Sequence, residues 1–379
     1  MRIALVAPLA EAVPPKLYGG TERVVSWLAE ELVRQGHRVT LFASAESETA
    51  AELVVCAAQS LRRAGIRDHL ASTLAMLREV RRRADDFDII HFHIDLLPQA
   101  LFHDLADKCV VTLHGRLDLP DTLPLYETYA EMPLVSISNA QRQPMPADAN
   151  WLATIPHGLA SHVCPFSPEC GSYLAFLGRI SPEKRPDRAI EIAKRAGIPL
   201  KLAAKVDAVD LEYFKTEIEP LLDHPLIEFI GEINETQKCG FLGKARALLF
   251  PIDWPEPFGL VVIEAMSAGT PVIAWPHGSV PEVLTEGVSG TLVDSIGAAV
   301  EAVQQAAYMD RRKVRAEFEK RFTAARMARE YVAAYRALLA RVPATARVPE
   351  GAVQAVAAPE VHWFESDLRS KVPDLNRAN

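Results

Sequence analysis

Glu256 and Glu264 bracket the run PFGLVVI, with seven residues between them. Glutamate is rarely buried without a partner, so two of them around so apolar a stretch need a reason. One account is a buried helix with a capping carboxylate before it and a second acid satisfied by its neighbours. The other is a ligand whose hydroxyls bond to both acids. A carboxylate accepts two hydrogen bonds from a vicinal diol, a group that a sugar and a ribose both carry. Pro255 and Pro257 stiffen the turn around Glu256. A helix starting near Phe258 would leave the amides of Phe258, Gly259 and Leu260 unpaired. Those amides and the helix dipole favour a negative group.

Three more constellations each follow an apolar run. LGRISPEKRPDRAI sets Arg179 and Lys184 five apart across a Ser-Pro break. Arg offers phosphate a planar fork and Lys a point charge; the plainer account is a solvated basic loop. LYGGTERVVSWLAEEL holds the Gly19-Gly20 turn, Thr21 as N-cap and a helix from about Glu22. The first amides of such a helix favour an anion, although an ordinary tight turn reads the same way. VVTLHG ends a strand at His114, and HFHID puts His91 and His93 on one strand face. His-x-His at a strand end is also a pattern of binuclear metal hydrolases. No supporting His and Asp set follows it, so satisfied core histidines are the simpler account and no metal is expected.

These residues need a scaffold. A chain of 379 residues exceeds a typical single core, which favours two domains. Its 49% hydrophobic and 24% charged content suits an ordinary globular protein. A net charge of −8 argues against a nucleic-acid partner. No apolar run reaches the roughly 18 to 20 residues of a membrane span. MRIALVAPLA is too short for a signal peptide and reads as a first buried strand. The five cysteines (56, 109, 164, 170 and 239) are odd in number, scattered and without CxxC spacing, so a reduced, cytoplasmic protein is expected.

Short apolar runs (RIALVAP, RVTLFAS, DIIHFH, CVVTLHG, PLVSIS, WLATIPHG) alternate with helical patterns, the first over Thr21 to Gln35. Runs apolar throughout suit strands covered on both faces, and their alternation with helices predicts parallel βαβ units. The pattern lapses at HGLASHVCPFSPECG, a linker, then restarts with YLAFLGRI, PLKLAAKV, a helix near 210–222, IEFIGEI, ARALLFPI, PVIAWP and GTLVD. The fold class is therefore α/β, with two doubly wound, Rossmann-like domains. Open parallel sheets bind ligands beyond the carboxyl ends of their strands, so two that face each other form a central cleft. Every constellation above falls just after a predicted strand.

In these residues the chain resembles the retaining GT-B glycosyltransferases, in particular the GT4 group (glycosyl transferases group 1), from Met1 to about Arg341. Its most specific element is the Glu-x7-Glu motif in EPFGLVVIEAMSAGTPVIA. YGGTE, His114-Gly115, the SN at 138, GRISPEK, FIGEI and the PE of GSVPEVL follow the same order. The resemblance implies that Glu256 contacts the transferred sugar and Glu264 the ribose of the nucleotide. Arg179 and Lys184 would grip the diphosphate, and the amides of Phe258 to Leu260 would approach sugar and phosphate. His114 would lie near the reacting sugar, Gly19 and Gly20 near donor phosphate or acceptor, and Ile233 beside the base. His277-Gly278-Ser279 departs from the pattern, where a second Gly is common.

The implied activity is metal-independent transfer of a sugar from a nucleotide-sugar donor to an acceptor hydroxyl with retention, and no cofactor is needed. The acceptor could be a small molecule, a glycan or a lipid. The rivals are a sugar-nucleotide epimerase of the same fold and a non-catalytic nucleotide-sugar binder. The expected domains are an acceptor-binding domain over 1–160 and a nucleotide-sugar-binding domain over 161–322. A helix over 323–341 would pack back towards the first domain, and an irregular tail would fill 342–379. Arg78 and Arg81 to Arg83 form a basic helix end. A solvated turn explains that end better than membrane contact does.

Overall fold

The computed structural model describes residues 1–341 apart from Tyr18, Ser161 and His162; the tail expected over 342–379 lies outside the described residues. Two parallel sheets carry the architecture. The first runs in the order β3-β2-β1-β4-β5-β6-β7. Its strands are β1 (Arg2–Val6), β2 (Arg38–Ser44), β3 (Glu52–Ala57), β4 (Ile89–Phe92), β5 (Cys109–Thr112), β6 (Leu134–Ser136) and β7 (Trp151–Thr154). The second runs β10-β9-β8-β11-β12-β13. It comprises β8 (Tyr173–Arg179), β9 (Leu200–Lys205), β10 (Ile227–Gly231), β11 (Ala245–Phe250), β12 (Val272–Ala274) and β13 (Gly290–Leu292). The two-domain α/β reading of the sequence holds.

The inner strands β4 and β5 are buried at every residue, which is why their sequences are apolar without alternation. Edge strand β3, ELVVCA, is half exposed and adds to the runs read above. The helix read near 210–222 is broken into short turns around a π-helical turn at Phe214–Ile218. Pro220 lies in its last turn, where it denies the helix an amide donor.

Among the helices packed against these sheets are α1 (Gly20–Arg34), α2 (Leu70–Arg82), α3 (Glu235–Gly243), α4 (Leu260–Ser267) and α5 (Ala324–Ala340). Along α5, Met327, Tyr331, Tyr335 and Leu338 recur on one face and join Ile3, Leu5 and Leu28 in the core of the first sheet. Both tyrosines are fully buried, so their hydroxyls need partners. Tyr335 meets His91 Nδ1 at 2.7 Å, Tyr331 meets Thr112 at 3.0 Å, and His91 Nε2 meets Thr112 at 2.7 Å.

The chain crosses between the two halves twice, and the crossings are bonded side by side. Leu159 donates to the Phe322 carbonyl at 2.8 Å, and Ala324 to the Leu159 carbonyl at 2.8 Å. A Cβ on Gly158 would overlap the Thr323 carbonyl, so only glycine permits this approach. Cys164, in the linker, and Cys239, on α3, form a disulfide with Cα atoms 4.9 Å apart. This corrects the expectation of five reduced cysteines. The partners are 75 residues apart in sequence and only the fold makes them neighbours.

At the basic end of α2, Arg81 pairs with Asp104, Arg82 with Glu79, and Arg83 with Glu52 and Asp86. No described helix is long and apolar enough to cross a membrane. Tyr335→Phe strands His91 Nδ1 without a partner inside the core. It should cost about 1 to 3 kcal/mol in urea unfolding.

Candidate active site

In the second sheet the strand order reverses between β8 and its neighbour β11, and an open α/β sheet binds its ligand outside such a switch point. Arg179 is the last residue of β8, and Glu256 follows β11 by six residues. The first sheet reverses between β1 and β4, and the turn holding Gly19 follows β1. These ends surround one cavity of about 710 Å³. Gly19, Gly20 and His114 line it from the first half. Arg179, Lys184, Ile233, Glu256, Phe258, Gly259, Leu260 and Glu264 line it from the second. The structure thus brings these eleven candidate residues to one place, while His91 and His93 lie buried in the core and do not line the cavity.

The local geometry adds detail. Helix α4 starts at Leu260 rather than Phe258, because Gly259 takes a left-handed conformation with φ 85° as its N-cap. The Val262 amide closes onto the Gly259 carbonyl at 2.9 Å. Glu256 pairs with Lys184 and accepts from Trp254 Nε1 at 3.1 Å on the same oxygen. The Lys184 ammonium also lies 4.7 Å from the centre of the Trp254 ring. Glu264, 4% exposed, accepts from Lys238 Nζ at 2.7 Å. Arg179 is met by Glu183 at 2.5 Å, Asp210 at 3.4 Å and Asp207 at 3.8 Å. A phosphate arriving there competes with these carboxylates.

His114 Nε2 lies 2.9 Å from His93 Nδ1, and its ring stacks on His157, with centroids 5.2 Å apart. Its Nδ1 is buried and has no hydrogen-bond partner among the described residues. Burial pulls the His114 imidazole down to about 3, so it is neutral at ordinary pH. His91 spends both ring nitrogens on Tyr335 and Thr112. Among the described residues no three His, Cys, Asp or Glu are placed to hold a metal ion.

Two family models match the chain: Glycosyltransferase Family 4 over residues 18–184 and Glycosyl transferases group 1 over 166–323. The chain belongs to the GT4-type GT-B glycosyltransferases. It is 27% identical over 319 residues to a phosphatidyl-myo-inositol mannosyltransferase of Mycobacterium leprae (strain TN), spanning 77% of this chain and 83% of that one. It is 33% identical over 153 residues to a D-inositol 3-phosphate glycosyltransferase of Mycobacterium leprae (strain Br4923), spanning 36% and 33%. Among solved structures it shares its fold with AviGT4, a glycosyltransferase involved in avilamycin A biosynthesis. That likeness has a TM-score of 0.70 at 24% identity, over 90% of this chain and 99% of that one. Anabaena HepE, solved with UDP and glucose, matches at TM-score 0.67 and 18% identity, over 89% and 100%.

In this glycosyltransferase the loop that departs from the motif pattern braces the first acid. Gly278 has φ 60°, and a Cβ there would overlap the backbone N and O of Glu256. The next amide, Ser279, donates to the Glu256 carbonyl at 2.9 Å. From the other half, Ser138 Oγ donates to the Pro257 carbonyl at 2.7 Å. Glu282 accepts the amides of Asn139 and Ala140 at 2.8 and 2.6 Å. Lys238, Trp254 and His157 escaped the sequence reading. Only His157 carried a signal, a second His-Gly after a strand.

Gly278→Ala should lower stability by about 1 to 2 kcal/mol through the left-handed backbone alone and reduce turnover by displacing Glu256. A melting curve and a rate assay check both. The neutral His114 links stability to acid. The unfolded chain protonates it near 6.5 and the folded one only near 3, so in between the unfolded state binds the extra proton. Stability present at pH 7 is therefore lost as pH falls below about 6.5. His114→Gln should flatten the dependence of unfolding free energy on pH between 6 and 4 by about 1.4 kcal/mol per pH unit, measured by urea titrations.

Proposed function

We propose that this glycosyltransferase moves a sugar from a nucleotide-sugar donor to an acceptor hydroxyl, with retention at the anomeric carbon and without a metal. One observation carries the reading. Glu256 and Glu264 open into the same cavity as Arg179, Lys184 and the first amides of α4, so groups suited to hydroxyls and groups suited to phosphate line one space. HepE, with the same fold, was solved with UDP and glucose, which supports a nucleotide and a sugar as the occupants. A cytoplasmic protein without a cofactor belongs to the same proposal.

Glycosyl transfer builds positive charge on the sugar and negative charge on the departing diphosphate. Arg179, Lys184 and the α4 amides offset the second charge from fixed positions, where such groups act most strongly. Glu264 holds the ribose. Glu256 holds the sugar hydroxyls and is kept in place by Lys184 and Trp254. The unpartnered Nδ1 of His114 suits a hydrogen bond with another sugar hydroxyl. Gly19 and Gly20 leave room for the acceptor or the donor phosphate, and Ile233 flanks the base. The acceptor approaches the face that the diphosphate leaves, so proximity supplies much of the rate and the phosphate takes the acceptor proton.

Titration calorimetry with UDP, GDP and ADP identifies a nucleotide that binds, and the two acids then divide the readings. Glu264→Gln should weaken nucleotide and donor alike by about tenfold or more, as expected for hydrogen bonds to a charged group. Glu256→Gln should leave nucleotide affinity unchanged and reduce turnover. Equal losses of nucleotide affinity in both variants, or full turnover in Glu256→Gln, would overturn these roles. An acceptor-independent conversion of the donor would favour the epimerase, and activity abolished by EDTA would remove the metal-free mechanism.

A further inference from the structure

The ribose-binding role proposed for Glu264 rests on a charge arrangement that extends across the cleft. Lys238 Nζ lies 2.7 Å from Glu264 Oε1 and 3.3 Å from Glu235 Oε2, so one ammonium faces two carboxylates. Alone it could neutralise only one. The second cation comes from the other half of the molecule. Arg23, on α1, pairs with Glu235, and its guanidinium also donates to the Leu17 carbonyl at 2.7 Å. The Arg23 side chain is 8% exposed, that of Lys238 12% and that of Glu264 5%, so solvent screens this row only weakly. All four residues line the cavity or pair with a residue that does.

We infer that Arg23 is a positioning residue for the donor site. By satisfying Glu235 it leaves Lys238 to hold Glu264 in the orientation that receives the ribose. Without Arg23, Glu235 and Glu264 compete for one ammonium, and Glu264 loses its partner or its orientation. The acceptor half thereby sets the donor affinity of the other half through charge balance, without touching the nucleotide.

The test uses the full chain and whichever of UDP, GDP or ADP binds the wild type. Arg23→Met removes the charge at similar length. It should weaken nucleotide binding about tenfold in calorimetry, within the range of about 5- to 150-fold usual for coupled sites. Arg23→Lys, which keeps the charge, should stay within about threefold of wild type. The decisive variant is Arg23→Met combined with Glu235→Gln. That chain returns to one cation and one acid, so affinity should recover to within about threefold of wild type. A merely structural Arg23 predicts no recovery, because the double variant lacks both halves of the ion pair. It also predicts a fall in melting temperature that tracks the loss of affinity. Wild-type affinity in Arg23→Met, or a double variant as weak as the single one, overturns the inference. Unchanged affinity in Glu264→Gln instead overturns the reading of Glu264 on which it rests, so the two failures are told apart.

Discussion

A carboxylate as deeply placed as Glu264 keeps its charge only where a cation answers it, and much of the cleft is arranged to meet that demand. Lys238 comes from α3, whose start is fixed by a capping box in which Asn234 and Gln237 satisfy each other's backbone amides. The disulfide from Cys239 ties the same helix to the linker. Glu256 is treated in the same way by Lys184 and Trp254, and Arg179 by its ring of carboxylates. Each of these charged side chains therefore has an opposite charge beside it.

The second constraint is that the site belongs to neither half alone. The segment from Trp254 to Leu260 lies in the second half, yet Ser138 holds the Pro257 carbonyl from the first, and Glu282 reaches back to the amides of Asn139 and Ala140. Gly278 and Ser279 press on Glu256 from behind. A rotation of one half against the other must strain or release these bonds. Geometry at the reacting sugar is thus linked to the angle between the sheets.

How much of this was legible in sequence varied with the range of the interaction. The parallel sheets were readable because a strand covered on both faces shows itself in four or five consecutive letters, as in DIIHFH and CVVTLHG. The Glu256 to Glu264 pair was readable because both acids lie on one short segment with prolines and a glycine between them. The start of α4 was misplaced by two residues, since nothing local announces that Gly259 rather than Pro257 takes the cap. Lys238 and Arg23 carried no signal, because each sits in an ordinary helix and gains meaning only from a partner far along the chain. The Cys164–Cys239 pair failed for the same reason. Edge strand β3 is apolar enough to be read, but its exposure leaves no alternation to distinguish it from a loop.

The return of α5 to the first sheet has a consequence for how the molecule comes into being. A ribosome delivers the chain from its N-terminal side onwards, and domains of most proteins fold in that order. Here the first seven strands emerge early, but the core they build is completed by Met327, Tyr331, Tyr335 and Leu338. Until those residues appear, Ile3, Leu5 and Leu28 lack their cover and His91 lacks the Tyr335 hydroxyl. The second sheet, whose six strands lie between residues 173 and 292, is synthesised in full before that moment. The half made first is thus the half completed last, and part of its core waits for α5 while the other half is made.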